Sequence, residues 1–369
     1  MSFNADYYVH DSDKSALKAL KAIPVFSRFL KSFMSVWSER QYRILKLSGC
    51  IRINENQMSE YYQLLPPICE KLGIDIPELY LELDVNPNAY TFGDTKPFIV
   101  VTSGLFETLP EELIPTVLAH ECGHIACHHS LYTTMGNVLF GGANYALNRY
   151  VPFGDLVTMP LQMAFFYWMR CSELSADRAA ILCDGNADKM SEVCMRLAGY
   201  DKDIRAIASK EEFLKQAEEY REMIKGSKWN RTLEFLLLRN IDHPLMTVRT
   251  LECEEWGKSD RFQSILNGTF GDANIESLAE ITKLELDPAE EANAEEMPAE
   301  EAPAGKKPEK KPKFKLELPK FKKGEKEAEP ESEKAVSVPE EIRQYKALCD
   351  EGIISQEEFD AKKKQLLGL

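Results

Sequence analysis

The chain has 369 residues, long for one domain, and its composition shifts sharply towards the end. It carries 60 acidic against 45 basic residues, a formal net charge of −15, which argues against nucleic acid as a partner. Nine cysteines, an odd count with no C-x-x-C pair, fit reduced thiols in a cytoplasm and not a disulfide framework.

The first residues, Met1 to Tyr7, are acidic and lack the apolar core of a signal peptide. Residues 14–46 read as one or two amphipathic helices with Leu17, Leu20, Ile23, Phe26, Leu30 and Phe33 on one side and lysines on the other, broken near Pro24. Such a stretch either packs on the body of the protein or makes a weak contact with a membrane surface. A helix is expected over 56–72, ending at Gly73, followed by an alternating strand over 76–83. Asn88 to Phe92 and Phe98 to Thr102 should pair as a hairpin around residues 93–97, although Asn86-Pro87-Asn88 alone reads only as a turn signal.

The stretch that organises the rest is Val117-Leu-Ala-His-Glu-Cys-Gly-His-Ile125. Thr108 with Glu111 reads as a capping box, and Leu113, Ile114, Val117, Leu118 and Ile125 recur at helical spacing, so the stretch falls on a buried helix. His120 and His124, four apart, project from one face and can grip one ion, predicted to be a single Zn²⁺ per chain. Glu121 lies one step round the helix, beside that ion. This is the H-E-x-x-H pattern of zinc hydrolases, in which the metal acidifies a water and the Glu takes its proton as general base. Cys122 points away from the histidine face, and Cys127 reads as core.

A third protein ligand is needed. His128 lies too far from His120 along the helix, and the position six after His124 is Ser130, so an extended three-histidine pattern fails. Glu173 is the better candidate, with Asp177 one turn on and placed to accept the second ring N–H of a ligating histidine. Their plain alternative, a solvated acidic face, conflicts with the apolar residues on both sides.

The intervening insert, 131–158, and the apolar run 161–169 are each unsuited to the ~20 apolar residues of a membrane span, so no transmembrane span is predicted. Leu161, Phe165, Trp168 and Met169 should bury a helix from about 160 to 183 that stops before Gly185. Residues 187–240 are helical by pattern. His243-Pro244 reads as the start of a helix through Val248 to Trp256. Residues 287–337, rich in Glu, Ala, Pro and Lys, form a disordered linker. Residues 338–369 fold up again as a helical hairpin, with a turn at Gly352 and a capping box of Ser355 with Glu358. A hairpin that small should pack on a partner protein or on another copy of the chain, giving a homo-oligomer.

Taken together, His120-Glu-Cys-Gly-His124 and Glu173-Leu-Ser-Ala-Asp177-Arg178 resemble the M48 family of zinc metallopeptidases, over residues 55 to 256. Asn88-Ala89-Tyr90 is similar to that family's edge strand, and His243-Pro244 with Arg249 to its H-P…R element. The resemblance implies a mainly α (α+β), gluzincin-like metallopeptidase domain at 55–286, after an N-terminal helical region at 1–54. It implies Zn²⁺ on His120, His124 and Glu173, with Asp177 behind a ligand. It implies that Asn88, Ala89 and Tyr90 line the cleft for a peptide substrate, that His243 and Arg249 help hold an oxyanion, and that the enzyme serves protein quality control. The tail, Leu348 to Phe359 and beyond, resembles the SHOCT module. The competing reading is an adaptor with structural zinc, acting through its C-terminal hairpin; Glu121 argues against it, because a structural site has no use for a carboxylate beside the ion.

Overall fold

A computed structural model describes residues 2–36, 38–140, 159–199, 208–227, 230, 245–271, 275 and 277–282. The expectations for residues 141–158, for His243, for the 287–337 linker and for the 338–369 hairpin lie outside the described residues.

The chain opens with α1 (Ala5–Tyr8), α2 (Asp11–Lys21), α3 (Phe26–Val36) and α4 (Glu39–Gly49). The break between α2 and α3 falls around Pro24, which has no amide to donate. Leu17, Leu20, Phe26, Leu30 and Phe33 are buried in one cluster with Leu131, Tyr132 and Phe165. The apolar face of this region therefore packs on the protein's own helices.

A four-stranded sheet follows, made of β1 (Ile51–Ile53), β2 (Glu78–Glu82), β3 (Ala89–Phe92) and β4 (Phe98–Thr102) in the order β1-β2-β4-β3. The expected hairpin is present, with Ala89 opposite Val101 and Phe92 opposite Phe98. It leaves β3 as an edge strand, since β4 is its one strand partner among the described residues. β1 escapes sequence reading because three residues carry no legible alternation. The expected helix at 56–72 is two, α5 (Ser59–Tyr62) and α6 (Leu65–Leu72). Pro66 and Pro67 suit the first turn of a new helix, and Gly73, at φ 69°, ends it. Strand periodicity sorts β4 between two layers: Ile99 and Val101 join the main core, and Phe98 and Val100 the smaller cluster with Tyr80 and Phe92.

After β4 come α7 (Ser103–Thr108), a 3₁₀ turn at Glu111–Leu113, and α8 (Ile114–Ala126). This corrects the expected capping box. Thr108 closes α7, and α8 starts six residues later without a side-chain cap. The reason is Pro110, which holds Leu109 and itself in extended conformations (ψ 139° and 153°) and prevents a helix from running through. Pro115 then suits the first turn of α8.

The C-terminal end of α8 closes in a Schellman motif: the His128 amide donates to Ile125 and the His129 amide to His124. His128 adopts φ 57° at the position where glycine is usual. The remaining helices are α9 (Ser130–Phe140), α10 (Met159–Asp184), α11 (Asp188–Gly199), α12 (Lys210–Gly226), α13 (Met246–Gly257), α14 (Asp260–Leu266) and α15 (Leu278–Thr282). α10 is 26 residues long, about 39 Å. Leu161, Phe165 and Trp168 of its first half fill the cluster shared with α2 and α3; Ala179, Ala180 and Leu182 of its second half fill the main core beside α8. Among the described residues, no helix is long and apolar enough to cross a membrane.

α8 and α10 meet at Gly123. A Cβ there would sit 2.7 Å from the Ala179 Cβ and 3.1 Å from the Ala176 backbone. Gly123→Ala is therefore expected to destabilise the fold by about 1–3 kcal/mol, read as a lower urea midpoint, because a helix backbone must move to admit one methyl. His128→Gly is expected to do the opposite and add about 1 kcal/mol in the same measurement, by relieving the left-handed residue.

Candidate metal centre

α8 is buried along nearly its whole length, so its polar side chains lie inside the protein and not at its surface. His120, Glu121 and His124 are each about 95% buried. α10 crosses close by at Gly123 and brings Glu173 to the same place. The three candidate ligand groups converge: His120 Nε2 to His124 Nε2 is 3.3 Å, His120 Nε2 to Glu173 Oε2 3.4 Å, and His124 Nε2 to Glu173 Oε1 3.3 Å.

These separations test whether a metal fits. Donors about 2.0–2.1 Å from a tetrahedral ion lie roughly 3.3–3.4 Å from one another. Two imidazoles and one carboxylate also match a donor set that leaves a coordination position open. No thiol joins the cluster among the described residues. Cys122 is fully buried with its thiol on that of Cys69, and Cys127 lies in the core.

The backs of the two imidazoles are held differently. His120 Nδ1 lies 2.9 Å from Asp177 Oδ1, a carboxylate one turn beyond Glu173 on α10. In the absence of an ion, burial works against the charged ring, but the hydrogen bonds to Asp177 and Glu173 outweigh it and push the His120 pKa up to about 10. His124 Nδ1 faces instead His129 Nδ1 at 3.0 Å, and burial lowers the pKa of His124.

Arg249, on α13, is 4% exposed and aims its nitrogens at the two α10 carboxylates. Its Nε donates to Asp177 Oδ2 at 2.8 Å and its Nη2 to Asp177 Oδ1 at 2.5 Å, while Nη1 is 3.1 Å from Glu173 Oε2. Burial raises the Asp177 carboxyl, yet the Arg249 charge and the His120 hydrogen bond prevail and hold it below the usual carboxylate range. In these contacts Arg249 grips both Glu173, a candidate ligand, and Asp177, the carboxylate behind His120. Its expected partner His243 lies outside the described residues.

The edge strand meets the centre through a residue that sequence reading passed over. Thr91 Oγ1 is 2.8 Å from Glu121 Oε2 and 3.1 Å from the Glu121 carbonyl oxygen. Strand alternation was the available signal: Ala89 and Thr91 share the face turned to α8, and Tyr90 the opposite one. There the Tyr90 hydroxyl donates to Glu82 Oε2 at 2.6 Å and accepts from Lys46 at 2.7 Å. Asn88 lies just before β3, its amide donating to Thr102 Oγ1 at 2.9 Å. Tyr90 thus points its ring away from the metal centre.

Comparison with known proteins bears on the same segments. Residues 70–256, about half of the chain, match the model of peptidase family M48, and residues 340–367 match the SHOCT short C-terminal domain. The chain is 32% identical over 265 residues to the plastoglobule-localized metallopeptidase 48 of Arabidopsis thaliana, a chloroplastic protein, covering 71% of this chain and 76% of the relative. Similarity extends to protease HtpX homologs: 22% identity over 189 residues for that of Ralstonia pickettii, spanning 46% of this chain and 66% of the relative, and 26% over 184 residues for that of Campylobacter concisus, spanning 42% and 62%. The chain thus spans about two thirds or less of those HtpX relatives. No solved structure matches. A matched segment that holds both α8 and α10, together with a relative followed over most of both chains, places this protein in peptidase family M48, the metallopeptidases.

Proposed function

We propose that the protein is a zinc-dependent endopeptidase in which Glu121 is the general base and His120, His124 and Glu173 are the metal ligands. The observation that carries this is the set of ligand separations of 3.3–3.4 Å with a buried carboxylate on the adjoining helical position. Bound there, a zinc ion supplies a Lewis acid that makes water a nucleophile near neutral pH. Glu121 accepts the proton of the attacking water and passes it to the departing amine as the C–N bond breaks, yielding a carboxylate and a free amine. The Thr91 hydroxyl, by donating to Oε2, keeps that carboxylate in one orientation through both transfers. Asp177 holds the proton on His120 Nδ1, so that Nε2 keeps its lone pair for the metal. Arg249 is a positioning residue that holds Glu173 and Asp177 in place and keeps Asp177 ionised in a buried site. His243 remains the proposed hydrogen-bonding partner of the oxyanion.

Substrate is proposed to bind as an extended segment added to the free edge of β3, along Asn88, Ala89 and Tyr90. Backbone pairing of that kind reads extension more than sequence, which suits damaged or misfolded clients. That role in protein quality control rests on the family resemblance.

Glu121→Gln is expected to lower casein hydrolysis by about 10²–10⁴-fold while zinc still binds, as measured by metal analysis of the purified variant. Chelation should abolish wild-type cleavage and added zinc restore it; client binding with no wild-type cleavage under any metal would point to an adaptor instead. Thr91→Val is expected to reduce kcat about tenfold or more with little change in KM, since it removes one hydrogen bond to a charged group. Arg249→Met leaves two buried carboxylates without their cation, and urea denaturation of the metal-free protein should show a loss of about 3–5 kcal/mol.

A further inference from the structure

One buried acid takes no part in the chemistry above. Asp13, on α2, is 1% exposed and lies 116 residues before its partner His129. Its Oδ2 is 2.9 Å from His129 Nε2 and accepts from Ser175 Oγ at 2.6 Å, and its Oδ1 accepts from Trp168 Nε1 at 2.9 Å. Burying a carboxylate costs several kcal/mol unless donors surround it, and here there are three. Two of them lead nowhere further towards the metal. The third does.

His129 is aimed by the Schellman turn at the end of α8, which turns the chain back so that its ring lies against His124. The direction of each hydrogen bond follows from its neighbours. If His124 Nε2 faces a metal, its Nδ1 must carry the proton and donate to His129 Nδ1. His129 then carries its own proton on Nε2, the nitrogen that faces Asp13. An ionised Asp13, with no proton to give, accepts it. Every bond in the row points the same way.

We propose that Asp13 is a positioning residue of the metal centre, acting on His124 through His129, so that each histidine ligand is backed by a carboxylate: His120 directly by Asp177, and His124 at one remove by Asp13. This rests on the reading that His120, His124 and Glu173 hold a metal. Asp13 lies outside residues 70–256, so the N-terminal region completes a site that the matched family segment does not contain. The rival account is that Asp13 merely anchors α2 to α10 through Ser175 and Trp168.

The two accounts separate in the full-length chain by zinc affinity, measured in competition with a chromophoric chelator, and by the visible absorption of the Co²⁺-loaded protein. Asp13→Asn is expected to weaken zinc binding about 10–100-fold and to shift the Co²⁺ band. Ser175→Ala and Trp168→Phe each remove a hydrogen bond to the same carboxylate while leaving the His129–Asp13 hydrogen bond in place, and phenylalanine keeps an aromatic ring edge-on to His129 where Trp168 packs; they should unfold more easily yet keep wild-type affinity and spectrum. A folded Asp13→Asn with wild-type affinity and spectrum overturns the proposal, as do Ser175→Ala and Trp168→Phe variants that lose affinity in proportion to stability. Should Asp13→Asn not fold, ¹⁵N-histidine correlation spectra of the zinc-loaded wild type decide the matter: a proton on His129 Nε2 is expected, and one on His129 Nδ1 refutes the relay. If the wild type binds no zinc, it is the metal reading itself that fails.

Discussion

The close approach of α8 to α10 at Gly123 is the constraint on which the rest of the structure depends. With no side chain at that point, the two helices come near enough for the alanines of α10 to fill the space a Cβ would take. The same proximity brings His120, one turn before Gly123, and His124, its immediate neighbour, within reach of Glu173. A wider spacing would separate the imidazoles from the Glu173 carboxylate and His120 from Asp177, breaking polar contacts that burial makes costly to lose. Packing and coordination geometry are thus one requirement met by one residue.

Burying so much charge demands a scheme of compensation, and the protein arranges it in layers. Around the candidate metal centre lie Thr91 on Glu121, Asp177 on His120 and His129 on His124. Behind these stand Arg249, clasping both α10 carboxylates, and Asp13, ringed by three donors. The outer groups come from α2 and α13, near opposite ends of the described chain. The site is therefore a property of the whole helical body and not of the two helices that supply its ligands.

Much of this was legible beforehand. Spacing of four on a helix picks out His120 and His124, and apolar neighbours on both sides mark Glu173 and Asp177 as buried; the hairpin, the α2–α3 break and the end of α10 follow from alternation, Pro24 and Gly185. What was not legible depends on contacts distant in sequence. Nothing near Asp13 announces a partner more than a hundred residues away, and His129 looks like the second of an adjacent pair of histidines until the turn at His128 shows where its ring points. The capping box at Thr108 failed for a local reason, since Pro110 stood between the cap and its helix. Thr91 was the readable omission: once the strand was assigned, alternation placed it on the face of α8.

That threonine ties together two parts of the site that might have been independent. Its hydroxyl reaches both the carboxylate and the main-chain oxygen of Glu121, while its own backbone belongs to the strand proposed to receive substrate. If Glu121 is the base and β3 the docking edge, as proposed, one hydroxyl couples the proton acceptor to the incoming polypeptide, so that a displacement of the strand would carry the base with it and keep it in register with the scissile bond.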